Sequence, residues 1–183
     1  MHTQKARIVL FKSTIRPLLE YCSLVFSSMS TLDRRTIENV QRSFTKSIFG
    51  CSSALTYRQR CVKTNLEPLW LRRLKLNLTF LFRLTHLSAY SNNPSIHFRP
   101  EPPYAIRNSN HTFSVPRTRS SLRTNFFLIK YLKIWNSLPS EIRSSENLSD
   151  FKHRLNTHLT IERLSDSYNC PLDLAFESGI LGV

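Results

Sequence analysis

IVLFKSTIRPLLEYCSLVFSSMSTLDRRTIENVQRSFTKSIFG (residues 8–50) reads as two helices in tandem, and the rest of the chain is arranged after that pair. Ile8, Phe11, Ile15, Leu18, Leu19, Cys22, Val25 and Phe26 recur at steps of three and four, which makes one apolar face of a helix, with Lys5, Lys12 and Arg16 on another. Pro17 lies inside this helix, removes one backbone hydrogen bond and is expected to kink or restart it. Ser27, Ser28 and Ser30 interrupt the apolar pattern. Ser30 or Thr31 is then placed to cap a second helix, with Asp33 and Glu38 near its positive end. That helix turns Ile37, Val40, Phe44 and Ile48 to one side and Arg35, Arg42 and Lys46 to another, and Gly50 supplies the left-handed residue that closes it. The short link between the two predicts an antiparallel hairpin.

A chain of 183 residues with 40% hydrophobic content can bury a real core. Its net charge of +14 points to an anionic partner. The charge is unevenly placed: residues 1–135 hold 22 Lys or Arg against 5 Asp or Glu, and residues 136–183 hold 4 against 7. Segregation of this kind favours a binding surface over a uniformly solvated exterior. Three glycines cannot build a glycine-rich phosphate loop. Cys22, Cys51, Cys61 and Cys170 form no CxxC pair, and Cys22 reads as a small core residue on an apolar helix face. No stretch reaches the ~20 apolar residues of a membrane span, and no leader pattern is present, so the expectation is an intracellular protein of the nucleus or cytoplasm, not secreted. The sequons at Asn77, Asn110 and Asn147 are then chance matches.

Downstream, Thr56 caps a short helix with Tyr57, Arg60, Cys61 and Lys63 in its turns. Pro68 opens a longer helix to about residue 87 that is apolar on most sides and is expected to lie centrally. Its Arg72, Arg73, Lys75 and Arg83 are expected to escape to the surface and, with Arg58, Arg60 and Lys63, to form the densest basic cluster. Residues 88–121 are rich in Pro, Ser and Asn and read as a long connector, in which residues 112–115 alternate like a short edge strand ended by Pro116. PRTRSSLR (residues 116–123) places Arg117, Arg119 and Arg123 on a loop that can follow a phosphate backbone with bidentate contacts. Thr124 or Asn125 then caps a helix with Phe127, Leu128, Tyr131, Leu132, Ile134, Trp135 and Leu138 inward, stopped before Pro139. At this spacing Trp135 and Tyr131 read as core rather than as base-stacking platforms. Ser149-Asp150 begins a last helix with Phe151, Leu155 and Leu159.

RPLLEYCSLVFS (residues 16–27), QRSFTKSIFG (41–50), LRRLKLNLTFLFRL (71–84), NFFLIKYLKIWNSLP (125–139) and FKHRL (151–155) resemble, in order and spacing, the C-terminal end of reverse transcriptases of jockey-type non-LTR retrotransposons. The resemblance spans roughly residues 5–160. It implies the thumb and post-palm extension of such a polymerase, lying against template and primer, and an Arg-rich stretch just before the Trp helix. It also implies that Met1 stands well inside a longer polymerase and serves as the start of a truncated copy.

The polymerising chemistry of that family rests on palm carboxylates in a Phe-Ala-Asp-Asp motif that hold two divalent metals. No Asp-Asp pair occurs here, and only Glu20, Asp33 and Glu38 precede Glu67, on positions read as solvent-facing or capping. His153 and His158 are five apart, on different helix faces, and no GxSxG-like nucleophile setting exists. The expectation is therefore a mainly α chain: a bundle of five or six helices with a long connector and one short strand or hairpin. Residues 1–87 form a thumb-like domain, 88–124 the connector, 125–160 the helical extension and 161–183 an unmatched tail. The expected function is nucleic-acid binding by a polymerase fragment that is not an enzyme by itself, with no catalytic residue, metal or cofactor. The partners are RNA or an RNA–DNA hybrid and a separate palm, with no membrane and no small-molecule substrate. The phosphate-binding candidates are Arg42, Lys46, Arg72, Arg73, Lys75, Arg117, Arg119 and Arg123. Two alternatives stand beside it: a domesticated nucleic-acid or protein-interaction module, and a relic reading frame.

Overall fold

In a computed structural model, residues 2–50, 53–86 and 111–160 are described, and they are mainly helical with no strand among them. In chain order the helices are α1 (His2–Leu10), α2 (Arg16–Glu20), α3 (Thr31–Phe49), α4 (Tyr57–Thr64), α5 (Leu69–His86), α6 (Ser121–Asn125), α7 (Phe127–Ser137), α8 (Ser140–Arg143) and α9 (Leu148–His158). Six of these, α1, α3, α4, α5, α7 and α9, run eight residues or more. The expected bundle is therefore present in the long helices, with shorter turns between them.

The first helix differs from its reading. Between α1 and α2, Phe11–Ile15 forms a π-helical turn, and the Arg16 N–H donates to the Phe11 carbonyl. Pro17 has no N–H, and its ring would press on the carbonyl four residues back; widening the turn absorbs both faults, and α2 restarts with Pro17 in its first turn. The helix then ends at Glu20, and Cys22 takes a positive φ of 50° in the following turn, half-buried rather than in the core. Of the predicted apolar face only Phe11 is fully buried, stacked on Phe44 of α3 at 4.1 Å, while Leu18 is 74% and Val25 72% exposed. Gln4 Nε2 donates to the Ile48 carbonyl at 3.2 Å and Arg7 to Ser47 Oγ at 2.7 Å, so α1 runs antiparallel to α3 as expected.

Caps hold where their chemistry is complete. Ser30 accepts from the Asp33 N–H at 3.2 Å, Thr56 and Gln59 form a reciprocal capping box, and Asn65 closes α4 in the left-handed region. Gly50 closes α3 at φ 85°. The cap expected at Thr124 or Asn125 is displaced: Ser120 caps the single turn of α6, accepting from the Arg123 N–H at 3.3 Å. The chain breaks at Phe126, and α7 starts without a side-chain cap. The last helix, read as beginning at Ser149-Asp150, starts at Leu148 and is capped by Asn147, which accepts from the Asp150 N–H at 2.8 Å.

One core joins the two helical units drawn from the sequence. Leu71, Leu74, Leu78, Leu81 and Phe82 of α5 pack with Tyr131, Leu132, Ile134 and Trp135 of α7, and with Phe151 and Leu155 of α9. Trp135 and Tyr131 are buried, as their spacing required. The expected strand at residues 112–115 is reduced to a single bridge residue, Phe113. Its N–H donates to Asn136 Oδ1 at 2.8 Å and its carbonyl accepts from Asn136 Nδ2 at 2.9 Å, so a side-chain amide answers both backbone groups. Residues 88–110 of the expected connector and the tail at 161–183 lie outside the described residues.

Candidate nucleic-acid interface

α5 lacks a capping residue of its own: the chain enters it through Leu66, Glu67 and Pro68, and its first free N–H groups are met from α3. Glu38 accepts from the Leu69 N–H at 3.1 Å, from the Trp70 N–H at 3.0 Å and from the Tyr57 hydroxyl. A carboxylate at a helix N-terminus also meets the positive end of the macrodipole. Burial pushes the Glu38 carboxyl above its ordinary range, although all three donors and nearby Arg42 pull the other way. Burial, and then the charge of Glu38, pushes the Tyr57 hydroxyl up. Next to it, Gln41 Nε2 donates to the Glu67 carbonyl at 2.9 Å and to Tyr57 at 3.1 Å, and Arg60, 7% exposed, donates to Thr45 Oγ1 at 3.3 Å. The helix junction is thus fixed by charged and polar groups.

This arrangement redraws the basic surface. Arg72, Arg73 and Lys75 do not project into solvent. Arg72 is paired with Glu20, whose hydrogen bond, opposed by burial, holds the guanidinium pKa above its usual value. Lys75 Nζ reaches Glu67 at 2.6 Å. Arg73 donates to the Leu19 carbonyl, and its Nε is buried with no acceptor. Arg60 is buried as well. Of the cluster, Arg83 and Lys63 are exposed as expected. Glu20, read as solvent-facing or capping, turns out with Glu67 to hold Arg72 and Lys75, while Glu38, read the same way, is buried against the start of α5.

The remaining candidates are placed differently. Arg117, Arg119 and Arg123 are exposed, and none pairs with a described carboxylate. Arg123 rides on α6 rather than on a loop. On α3, Arg35, Arg42 and Lys46 share a face as read; Arg35 and Lys46 are exposed, and Arg42 lies over the Tyr57 ring at 4.7 Å. Arg35 and Arg42 also line a cleft of about 380 Å³ between α3, α5 and α7, together with Arg34, Arg73 and Lys130. α6 and α7 both pack on the 3₁₀ turn Val25–Ser28, which supplies Phe26 and Ser27 to the cleft wall. α6, which carries Arg123, thus packs on a turn that forms part of the cleft wall.

Sequence reasoning missed the junction at Glu38, although two signals were present. Glu38, Gln41 and Thr45 recur at helical spacing as a polar stripe on α3, and the longest apolar helix begins after a proline with no Ser, Thr, Asp or Asn at its cap. Asn77 is buried too: it accepts from Ser23 Oγ at 2.8 Å and donates to the Tyr131 hydroxyl at 2.7 Å, a position no sugar could reach in the folded chain. Among the described residues no group of three His, Cys, Asp or Glu could hold a metal ion, and no helix is long and apolar enough to cross a membrane. No family model, no curated protein and no solved structure matches this chain.

Proposed function

We propose that the chain is a helical nucleic-acid-binding module, corresponding to the thumb and post-palm extension of a non-LTR retrotransposon reverse transcriptase, and that it grips a template–primer duplex by its phosphates without polymerising. The observation that carries this reading is the contrast among its arginines. On α5, Arg72 is paired with Glu20 and Arg73 is turned to the Leu19 carbonyl, whereas Arg117, Arg119 and Arg123 stand exposed on one short segment with no described carboxylate against them. Lys46 and Arg35 extend the same sign of charge along α3. Guanidinium groups so placed form bidentate contacts with phosphate oxygens and read backbone shape rather than base sequence.

Binding of the purified chain to an RNA–DNA hybrid across a salt series tests it. Log affinity is expected to fall steeply with log salt, and each Arg→Gln change at 117, 119 or 123 should lower the slope by about one. A salt-independent affinity, or a triple variant that binds as the parent does, overturns the reading. With Mg²⁺, primed template and nucleotides the chain should extend no primer.

A second reading, a module that docks on a protein such as a separate palm, is favoured by one feature. Val9, Leu10, Leu18, Tyr21 and Val25 are exposed apolar groups on the α1–α2 side. It requires concentration-dependent association in sedimentation that Leu18→Glu abolishes.

A further inference from the structure

The cleft between α3, α5 and α7 sets five cations, Arg34, Arg35, Arg42, Arg73 and Lys130, against one carboxylate, Glu38. That carboxylate is already occupied by the Tyr57 hydroxyl and by the N–H groups of Leu69 and Trp70. Arg35, Arg42 and Arg73 alone outnumber it, so the lining favours an anion. The rest of the lining is of another kind. Phe26 is 47% exposed at the wall, Trp70 is half-buried, and exposed Asn39 offers an amide. A volume of about 380 Å³ holds one ligand of small-molecule size and excludes a duplex.

We infer that this cleft takes a single nucleotide unit, its phosphate on Arg35, Arg42 and Arg73 and its base against Phe26 and Trp70. An aromatic face accepts any base, and guanidinium forks match phosphate oxygens, so the two halves of the lining fit the two halves of one nucleotide. The unit is either a free nucleoside phosphate or the unpaired end of a strand, since both carry the same chemistry. The inference rests on the polyanion-binding reading and deepens it: the exposed segment carrying Arg123 holds the backbone, and the neighbouring cleft receives the terminal unit.

Trp70 lines the cleft and Trp135 is sealed in the core, so quenching of tryptophan fluorescence reports on occupancy. The full chain is titrated with AMP, adenosine, inorganic phosphate and a 5′-phosphorylated ten-nucleotide single strand. AMP is expected to quench, and to bind at least about tenfold more tightly than adenosine or phosphate alone. Arg35→Gln, at an exposed position on which folding does not depend, should weaken AMP about tenfold while leaving the circular dichroism unchanged. The triple change of Arg117, Arg119 and Arg123 to Gln should weaken hybrid binding and leave AMP untouched. Competition between AMP and the single strand assigns the site to strand ends; AMP binding without competition assigns it to free nucleotides, and either supports the inference. No quenching by AMP and none by the single strand, or equal binding of phosphate alone, overturns it. A parent chain that binds AMP but shows no affinity for the hybrid overturns the polyanion reading instead.

Discussion

Two clefts meet at α5, and they share Ser23 and Asn77 in their walls, yet they differ in charge. The larger, about 480 Å³, carries Arg72, Lys75, Arg83 and Lys152 with Glu20 and Glu67 among them. There Arg72 is paired with Glu20, and Lys75 with Glu67. The smaller, about 380 Å³, has five cations and only Glu38, whose lone pairs are turned to a helix end. The density of basic residues is similar on the two sides. What separates them is where each carboxylate sits, so a count of Arg and Lys along the sequence overstates one face and understates the other.

The comparison breaks most severely at Glu38. Glu38→Ala removes the acceptor from Tyr57, Leu69 and Trp70 at once, and buried donors left without partners cost about 1–3 kcal/mol each, part of which water recovers. A loss of about 3 kcal/mol in chemical denaturation is expected. Glu38→Gln keeps the shape and mimics the protonated acid. Because burial holds the folded carboxyl above its unfolded value, the folded state binds this proton more tightly. The contribution of Glu38 to stability is therefore whole at pH below the ordinary carboxylate range and falls as pH rises through the raised value. The difference between parent and Glu38→Gln should shrink in favour of the variant over that window; a difference that grows with pH would refute the assignment.

Why the sequence showed one side of this comparison and not the other is a matter of range. Helix existence follows from local spacing, and so the long helices, the caps at Ser30 and Thr56, the stop before Pro139 and the burial of Trp135 were all legible. The break after Glu20 was half legible: Pro17 announced a restart, but the wide turn at Phe11–Ile15 and the left-handed Cys22 depend on how α2 meets α5. The pairings that decide the surface join residues 52 apart for Glu20 and Arg72 and 31 apart for Glu38 and Leu69. No periodicity spans such separations. Arg117, Arg119 and Arg123 lie exposed on a short segment with no described carboxylate paired to them, and local reading of their exposure sufficed there.

Asn77 tests whether the two clefts are held by one support. It accepts from Ser23 and donates to Tyr131, linking the turn after α2 to α5 and α7. Asn77→Leu fills similar volume but leaves both hydroxyls to find other partners, with an expected loss of about 2 kcal/mol in thermal or chemical unfolding. If stability is unchanged, the clefts are supported by packing alone. A smaller change converts one cleft toward the other: Glu20→Gln with Glu67→Gln strips the partners from Arg72 and Lys75. These pairs are partly exposed, so stability should fall by no more than about 1 kcal/mol. Hybrid binding should meanwhile gain about one unit of salt slope as a freed cation becomes available to phosphate. An unchanged slope would mean that this face points away from the duplex.

The mildest test compares two thiols on the two sides of the same junction. Cys22 is half-buried and lines the larger cleft, so reagent can reach it through open space. Cys61 is wholly enclosed beside Tyr57 and Gln41, and burial pushes its thiol up to about 12, so at neutral pH it presents almost no thiolate. An alkylating reagent at pH 8 should therefore modify Cys22 in the folded chain and leave Cys61 untouched until denaturant opens the α3–α4 junction. Mapping the labelled peptides against denaturant then gives the opening of that junction separately from global unfolding. Glu38→Ala should shift the labelling of Cys61, and not that of Cys22, to lower denaturant. If both cysteines label together in the parent chain, the carboxylate-held junction does not close as tightly as its hydrogen bonds require.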